Sequence, residues 1–298
     1  MDHGHALSAW FESCTFPAAG SAFRCGVSGG ADSLALLALA SAAGCEVTAV
    51  HVDHGQRPHA AAEVERVRTY ASSVGAAFES ARVAVDAGPN LEARMRTARY
   101  GVLGPDAATG HTADDQAETL LINMMRGAGL VGLGAMQPGH RRPILSLRRA
   151  DTEAICDVLG WQPFVDPSNT DERFQRNRVR FELLPLLADI ADRDVVPLLV
   201  RSSAHARNGA ELVANQADEI DVADAKALAA APTLVASIAI QRWVRAETND
   251  EYPIDAASVA RVLEVAHGRA LAAEVSGGWR VSRSQQRLSV SRAREDRP

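Results

Sequence analysis

Short apolar runs alternate with helical patterns along the first part of the chain. The runs cover residues 23–27, 47–52, 78–85 and 107–110, and the helical patterns cover residues 34–43, 63–74, 91–103 and 114–126. Strands that alternate with helices pair in parallel, since each crossover helix returns the chain to the same sheet. The pattern predicts an α/β domain built on a parallel sheet, with ligands bound beyond the carboxyl ends of its strands.

The pattern changes after Gly127. A glycine-rich loop and an arginine-rich stretch are followed by one long helical pattern, two further helices and an alternating segment, at residues 195–220, 233–247, 256–267 and 271–292. The alternation predicts a small antiparallel sheet. We place the boundary near residue 215, which predicts a catalytic domain over 1–215 with a connector helix and a small α+β domain over 216–298.

Charge and length restrict the function. The chain has 298 residues, enough for two domains at about 150 residues each, and a net charge of −6. Lys226 is the single lysine and has no glycine nearby, which excludes a Walker-type phosphate loop. Residues 141–180 carry a net charge of +2 and residues 276–298 a net charge of +4. These two basic stretches are candidate RNA surfaces, although arginines at a terminus also serve solubility.

Cysteine spacing and hydropathy indicate the compartment. The four cysteines form no C-x-x-C pair, so we expect reduced, mostly buried thiols. The longest apolar stretch, residues 34–44, is far shorter than the roughly 20 residues of a membrane span. We therefore expect a cytoplasmic protein with no membrane partner.

The segment with the clearest chemistry follows the first predicted strand. It reads Ser28, Gly29, Gly30, Ala31, Asp32 and Ser33. Paired glycines allow a ligand to approach the backbone, and the N-terminus of the next helix attracts phosphate. A carboxylate beside phosphates suggests Mg²⁺, which bridges the two. A plain turn capped by Asp32 is the alternative.

This loop resembles the pyrophosphate loop of the ATP pyrophosphatase superfamily. Further segments resemble the tRNA(Ile)-lysidine synthetase family, namely residues 90–94, 99–100, 111–119, 126–133, 142–145, 166–169 and 176–180. The resemblance implies an adenine nucleotide alpha hydrolase-like fold and an AMP-forming ligase. It also implies the short form of the family, without the additional C-terminal domain of longer members.

The resemblance implies a complete reaction. ATP adenylates O2 of the wobble cytidine of a tRNA(Ile) with a CAU anticodon, and the amine of free L-lysine then displaces AMP to form lysidine. An attacking amine must lose a proton, which requires a nearby base. Asp115 and Glu118 are spaced to share one helical face, and Asp114 adds a third carboxylate. The partners are tRNA(Ile) and lysine, with a homodimer left open.

Several candidates keep a simpler interpretation. Asp53 either binds the nucleotide ribose or lysine, or belongs to a turn. His111 either contacts phosphate or adenylate, or caps a helix. The arginines of residues 173–180 either bind tRNA or ATP phosphates, or form a solvated face. The expected catalytic residues are Asp32, His111, Asp115, Glu118 and Arg94; the expected nucleotide-binding residues are 28–33 and Asp53; the expected Mg²⁺ ligands are Asp32 and Asp115.

Two other functions remain open. A tRNA thiolase of the same superfamily would share the loop, but the thiocytidine-forming relatives use C-x-x-C arrangements that this chain lacks. A non-catalytic nucleotide-binding or RNA-binding module would gain nothing from three acids placed near phosphate.

Overall fold

The structure is a computed structural model that describes residues 3–53, 60–83, 91–164, 171–250 and 254–293. It divides into two compact units, Met1–Ala204 and His205–Pro298. Both the division and the predicted boundary near residue 215 fall within one helix, α10 (Val196–Asp218). No helix among the described residues is long and apolar enough to cross a membrane.

The first unit is built on three parallel strands. Along the chain its first elements are α1 (His3–Phe11), β1 (Ala22–Gly26), α2 (Ala31–Ala42), β2 (Glu46–Asp53), α3 (Ala60–Ser73), β3 (Ala77–Arg82), α4 (Leu91–Leu103) and α5 (Ala113–Met125). The strand order is β1-β2-β3, with Cys25 opposite Ala49 and Ala49 opposite Phe78. The predicted α/β fold with a parallel sheet is confirmed.

The predicted fourth strand, residues 107–110, is reduced to a single bridge. Ala108 pairs in parallel with Cys25, donating to the carbonyl of Arg24 at 2.8 Å and accepting from the amide of Gly26 at 2.9 Å. The contact still places the chain that follows at the carboxyl end of the sheet, beside the end of β1.

Helix α2 is the centre of the core. Its sequence is almost entirely Ala and Leu, which are strong helix formers, and residues 34–40 are all buried. A helix that is apolar on every side must be enclosed, and each buried leucine contributes about 1.5–3 kcal/mol. This packing fixes the helix whose first turn carries Asp32.

The rest of the first unit is helical. Its elements are α6 (Leu130–Leu133), α7 (Arg149–Val158), α8 (Gln175–Arg178), a π-helical turn (Val179–Leu183) and α9 (Leu184–Ala191). Buried residues of α5, α9 and the start of α10 form a separate apolar cluster, in which Leu121 packs with Leu184 and Val196. This cluster anchors the π-helical turn against α5.

The second unit is a small α+β structure, as expected. It contains α11 (Ala225–Ala230), α12 (Thr233–Thr248), α13 (Ala256–Ala266), β4 (Ala272–Val275), β5 (Trp279–Ser284) and β6 (Arg287–Arg292). The three strands form an antiparallel sheet in the order β4-β5-β6. Its inner face buries Val281 and Leu288 against α12 and α13, so the sheet covers the helices on one side only.

Candidate active site

The loop after β1 is closed by its own last residue. The hydroxyl of Ser33 accepts from the amides of Ser28 and Gly29 at 3.1 and 3.2 Å, and it donates to the carbonyl of Gly30 at 2.9 Å. The amides of Ala31 and Asp32 open helix α2 and have no acceptor within it. The loop therefore holds a fixed shape and directs the positive end of α2 toward a ligand.

A second segment packs against this loop. Gly29 has φ +89°, and a Cβ there would lie 2.5 Å from Cδ2 of Phe164. The amide of Phe164 donates to the carbonyl of Gly29 at 2.8 Å, and the guanidinium of Arg66 lies 4.5 Å from the Phe164 ring. Only glycine satisfies both the positive φ and the close contact.

The chain after Ala108 reaches the same loop. A Cβ on Gly110 would lie 2.5 Å from the carbonyl oxygen of Asp32. His111, next along the chain, is half-buried and shares a 2.7 Å hydrogen bond between Nδ1 and the hydroxyl of Thr109. The loop of residues 28–33 and the segment of residues 111–118 therefore meet beyond the end of β1.

Asp32 lies where these segments meet. Its carboxylate accepts a 2.5 Å hydrogen bond from the hydroxyl of Thr152 and lies 3.9 Å from Nε of Arg149. Burial raises the pKa of Asp32 to about 6, against the lowering effect of the Thr152 hydrogen bond, and the negative charge of Asp115 adds to the rise. Burial therefore outweighs the Thr152 hydrogen bond and the nearby positive charges of Arg149 and Arg180.

Asp115 serves helix α5 and the site together. Its Oδ2 accepts from the amide and hydroxyl of Thr112 at 2.9 and 3.1 Å, which caps the first turn of the helix. Its Oδ1 faces Arg149 at 3.5 Å and Arg180 at 3.6 Å. One oxygen holds the helix and the other faces the guanidinium groups.

Glu118, one turn further along α5, is fully buried and surrounded by arginines. It lies 2.7 Å from Nε of Arg180, 3.4 Å from Nη2 of Arg149 and 3.4 Å from Nε of Arg176. A carboxylate without solvent is stable only when it is paired and hydrogen-bonded. Glu118 therefore orders three guanidinium groups around itself.

The arginines of residues 173–180 divide between two environments. Arg176 and Arg180 point inward to Glu118, and Arg176 also donates to the hydroxyl of Thr119 at 2.8 Å. Arg173 and Arg178 are exposed and pair with neighbouring acids, Asp171 and Glu182. Neither interpretation from the sequence covers the whole group, since two of the four arginines belong to the site.

Asp114 is held differently from its two neighbours on α5. It accepts two hydrogen bonds of 3.1 Å from Arg148 and one of 2.8 Å from the amide of Arg149. Burial opposes its ionisation, but these hydrogen bonds outweigh burial, so the pKa of Asp114 lies below its usual value. The ion pair anchors the start of α7 to α5.

Two predicted residues lie on other elements. Asp53 ends β2 and lies 4.0 Å from Nε of Arg82 at the end of β3. Residues 54–59, which include the rest of that predicted turn, fall outside the described part of the chain, as do residues 165–170. Arg94 is half-buried on α4, which carries none of the three site carboxylates.

Sequence reasoning missed Arg149, Thr152 and Phe164. Arg149 was visible only as part of an arginine-rich stretch, and nothing in the sequence distinguished it from the other arginines there. Thr152 and Phe164 gave no signal, because their partners are distant in sequence, Asp32 and Gly29.

In the second unit, the predicted alternation along β5 is present. Val281 is buried and Trp279 half-buried, while Arg280 is exposed on the opposite face. Arg287 pairs with Asp221 at 2.6 Å, and the guanidinium of Arg292 lies 4.0 Å from the Trp279 ring. The outer face of the sheet is polar, with both serine and arginine side chains.

The class of protein follows from the loop, the parallel sheet and a family match. Residues 6–187 match the PP-loop domain family, so the chain carries a PP-loop domain. The U34-tRNA thiolase NcsA from Methanococcus maripaludis with its [4Fe-4S] cluster is similar in fold, with a TM-score of 0.51 and 16% identity over 64% of this chain and 73% of that one.

More specific relatives define the family. The tRNA(Ile)-lysidine synthase of Nocardia farcinica is 39% identical over 80% of each chain. That of Mycolicibacterium paratuberculosis is 43% identical over 63% of this chain and 61% of the relative. The chain belongs to the tRNA(Ile)-lysidine synthase family, which confirms the resemblance found in the sequence and the prediction of an enzyme of this type.

Proposed function

We propose that this protein uses ATP to join L-lysine to C2 of the wobble cytidine of a tRNA(Ile) with a CAU anticodon. The cytidine O2 would attack the α-phosphate of ATP and release pyrophosphate. The lysine amine would then attack C2 of the adenylated cytidine and release AMP. The family membership supports this reaction, and the contacts of the site allow each step to be assigned to residues.

The position of Arg149 among three carboxylates is the observation that most strongly supports the proposal. Its guanidinium lies 3.9 Å from Asp32, 3.5 Å from Asp115 and 3.4 Å from Glu118. One side chain thus joins the carboxylate of the nucleotide loop to the carboxylates of α5. A nucleotide on the loop and an amine at the carboxylates would therefore meet in a single site.

The arginines suit the adenylation step. Charge develops on the phosphate oxygens as the cytidine oxygen attacks, and fixed guanidinium groups stabilise that charge. Glu118 holds Arg149 and Arg180 in place before ATP binds, so no reorganisation energy is needed at the moment of reaction. We assign both arginines to the transferring phosphate and residues 28–33 to the remaining phosphates.

The carboxylates suit the second step. Asp115 lies in the first turn of α5, and an acidic group there would attract the lysine ammonium and accept its proton. Glu118, on the same face one turn along, is enclosed by three guanidinium groups and positions the arginines. Asp115 has one oxygen directed at the guanidiniums rather than at the helix cap. We assign lysine binding to Asp115, the positioning of the arginines to Glu118, and contact with the adenylate to His111.

Asp32 and Asp115 fit a Mg²⁺ ion. Burial raises the pKa of Asp32 and the charge of Asp115 adds to the rise, so the two carboxylates act on each other although Arg149 lies 3.9 Å from one and 3.5 Å from the other. Among the described residues no group of three or more His, Cys, Asp or Glu could hold a metal. Two carboxylates would bind Mg²⁺ together with ATP phosphates, and the ion would neutralise phosphate charge when bound.

One reaction mixture tests the proposal. The protein is incubated with ATP, lysine and a tRNA(Ile) transcript, and AMP release is measured while nucleosides from the digested RNA are analysed by mass. We expect AMP and a cytidine carrying lysine in equal amounts. A transcript with uridine at the wobble position is the control. AMP without modified cytidine, or a thiolated base, would overturn the proposal.

The cysteines disfavour the thiolase alternative. Burial raises the pKa of Cys14 to about 11, and burial raises that of Cys25 and Cys156 to about 12. A thiol that stays protonated at neutral pH is a poor nucleophile and a poor metal ligand. Burial also raises the pKa of Cys45, and the sequence has no C-x-x-C pair, so lysine ligation is favoured over sulfur transfer.

A further inference from the structure

The segment that carries Arg176 and Arg180 has a second, outward face. Arg176 and Arg180 contact Glu118 inside the site. Phe174 and Phe181 point away from it, with 40% and 52% of their surface exposed. A single exposed apolar residue is common on protein surfaces, so these two phenylalanines are informative because both lie in one short segment beside the site.

Phe174, Arg178 and Phe181 are exposed residues of one short segment, which we call the aromatic ridge. Phe174 is the extended N-cap of α8, Arg178 ends α8, and Phe181 lies in the π-helical turn that follows. The segment begins beside α5, where Arg126 donates to the side chain of Gln175 at 3.4 Å. The ridge is therefore an aromatic surface with a basic centre.

The ridge lies close to the reacting groups. The guanidinium of Arg180 is 2.7 Å from Glu118 on one side and 6.0 Å from the centre of the Phe181 ring on the other. One residue thus separates the buried carboxylate from an exposed aromatic ring. A substrate base that reaches the carboxylates places its neighbours in the strand near this ring.

We infer that the aromatic ridge stacks unpaired bases of the tRNA anticodon loop next to the cytidine that is modified. The inference rests on the proposed function. Single-stranded RNA is bound by stacking bases on aromatic side chains and by pairing phosphates with arginine. Arg178 is available for a phosphate because its partner Glu182 is exposed, and an exposed ion pair contributes little.

Charge favours RNA over a protein partner. Residues 171–182 contain four arginines and three acids, and Arg178 lies between Phe174 and Phe181 in the sequence. A groove for an amphipathic helix would instead present a continuous apolar surface. Alternating rings and guanidiniums match a strand whose bases and phosphates also alternate.

Fluorescence tests the stacking directly. An anticodon stem-loop RNA carries 2-aminopurine in place of the adenine that follows the wobble cytidine, and its quenching is recorded as protein is added. Wild-type protein should quench the probe. Phe181→Leu should lose the quenching although it keeps an apolar side chain, whereas Phe181→Tyr should retain it. Ile190→Ala, which changes an exposed apolar residue outside the ridge, is the matched control.

Kinetics give the second measurement. Phe174→Leu and Phe181→Leu should each raise the KM for tRNA about tenfold, with the KM for ATP unchanged. The inference would be overturned if Phe181→Leu and Phe181→Tyr gave the same quenching and the same KM for tRNA. Wild-type values in every ridge variant would overturn it as well and favour a protein partner. Absence of lysidine with wild-type protein would instead contradict the proposed function.

Discussion

Arg180 donates a hydrogen bond from Nε to Oε1 of Glu118 across 2.7 Å, and the carboxylate that accepts it has no contact with solvent. Arg149 and Arg176 approach the same carboxylate at 3.4 Å. Three guanidinium groups thus depend on one buried charge. Removing that charge leaves them without compensation, which costs far more than removal of a surface charge.

Glu118→Gln should lower the free energy of unfolding by about 3 kcal/mol, because Gln keeps the shape of the side chain but leaves the arginines uncompensated. Urea unfolding at pH 7 measures the change. Glu182→Gln is the matched control, since Glu182 is exposed and pairs with one arginine; it should change stability by at most about 1 kcal/mol. If the two variants lost similar amounts of unfolding free energy, the buried position of Glu118 would contribute nothing beyond that of an exposed ion pair.

Most of the fold could be predicted because it depends on local periodicity. The boundaries of α4 agree with the pattern, and those of α5, α10 and the final sheet lie within a few residues of it. Ala108 shows where periodicity fails. A short apolar run predicted a strand, but only one residue pairs with β1, because pairing depends on the neighbouring backbone rather than on the run itself.

The site was predictable only in part. Asp32, Asp115 and Glu118 stand in recognisable spacings, and the structure brings them together around Arg149. The role of Glu118 as the centre of an arginine cluster could not be predicted, because its partners are at least 31 residues away in sequence. Spacing identifies the residue types, whereas the fold decides which of them pair.

Gly110→Ala should abolish ATP-dependent turnover. The new Cβ would lie 2.5 Å from the carbonyl oxygen of Asp32 and 3.0 Å from the amide of Ser33. Both are backbone atoms, so the start of α2 has to move and the phosphate loop with it. AMP formation and ATP binding by calorimetry measure the effect.

Gly101→Ala controls for the substitution itself. Gly101 lies in α4, and a Cβ there meets no atom within 4 Å. Alanine stabilises a helix by about 0.5–1 kcal/mol over glycine, so this variant should be as active as wild type and slightly more stable. Full activity in Gly110→Ala would mean that the loop tolerates displacement.

Asp32→Asn should make the protein more stable while it abolishes adenylation. Burial holds the pKa of Asp32 at about 6, above its ordinary value of 3.8. Between these values the native state binds more protons than the unfolded state, so stability falls as pH rises. Above pH 6, Asn should therefore add up to about 3 kcal/mol, and the gain should vanish below pH 4.

Thermal unfolding of wild type and Asp32→Asn at several pH values measures this difference. Asn still accepts the hydrogen bond from Thr152, so packing stays the same in the two proteins. The affinity for the tRNA transcript should remain near wild type, because Asp32 serves the nucleotide. A variant that is equally destabilised at pH 4.5 and pH 8 would contradict the assigned titration of Asp32.

Thr152→Val should move the pH dependence of adenylation upward. The Thr152 hydroxyl donates to Asp32 across 2.5 Å and stabilises the ionised carboxylate, which lowers the pKa of Asp32 against the effect of burial. Valine has the same shape but no donor, so the pKa should rise further and the rate should reach its plateau at a higher pH. The plateau itself should change little, since Asp32 is still ionised there.

Thr152→Ser restores the donor and should return the profile to that of wild type. AMP release measured from pH 5 to pH 9 distinguishes the three proteins, and an unshifted profile in Thr152→Val would show that Asp32 does not control the step.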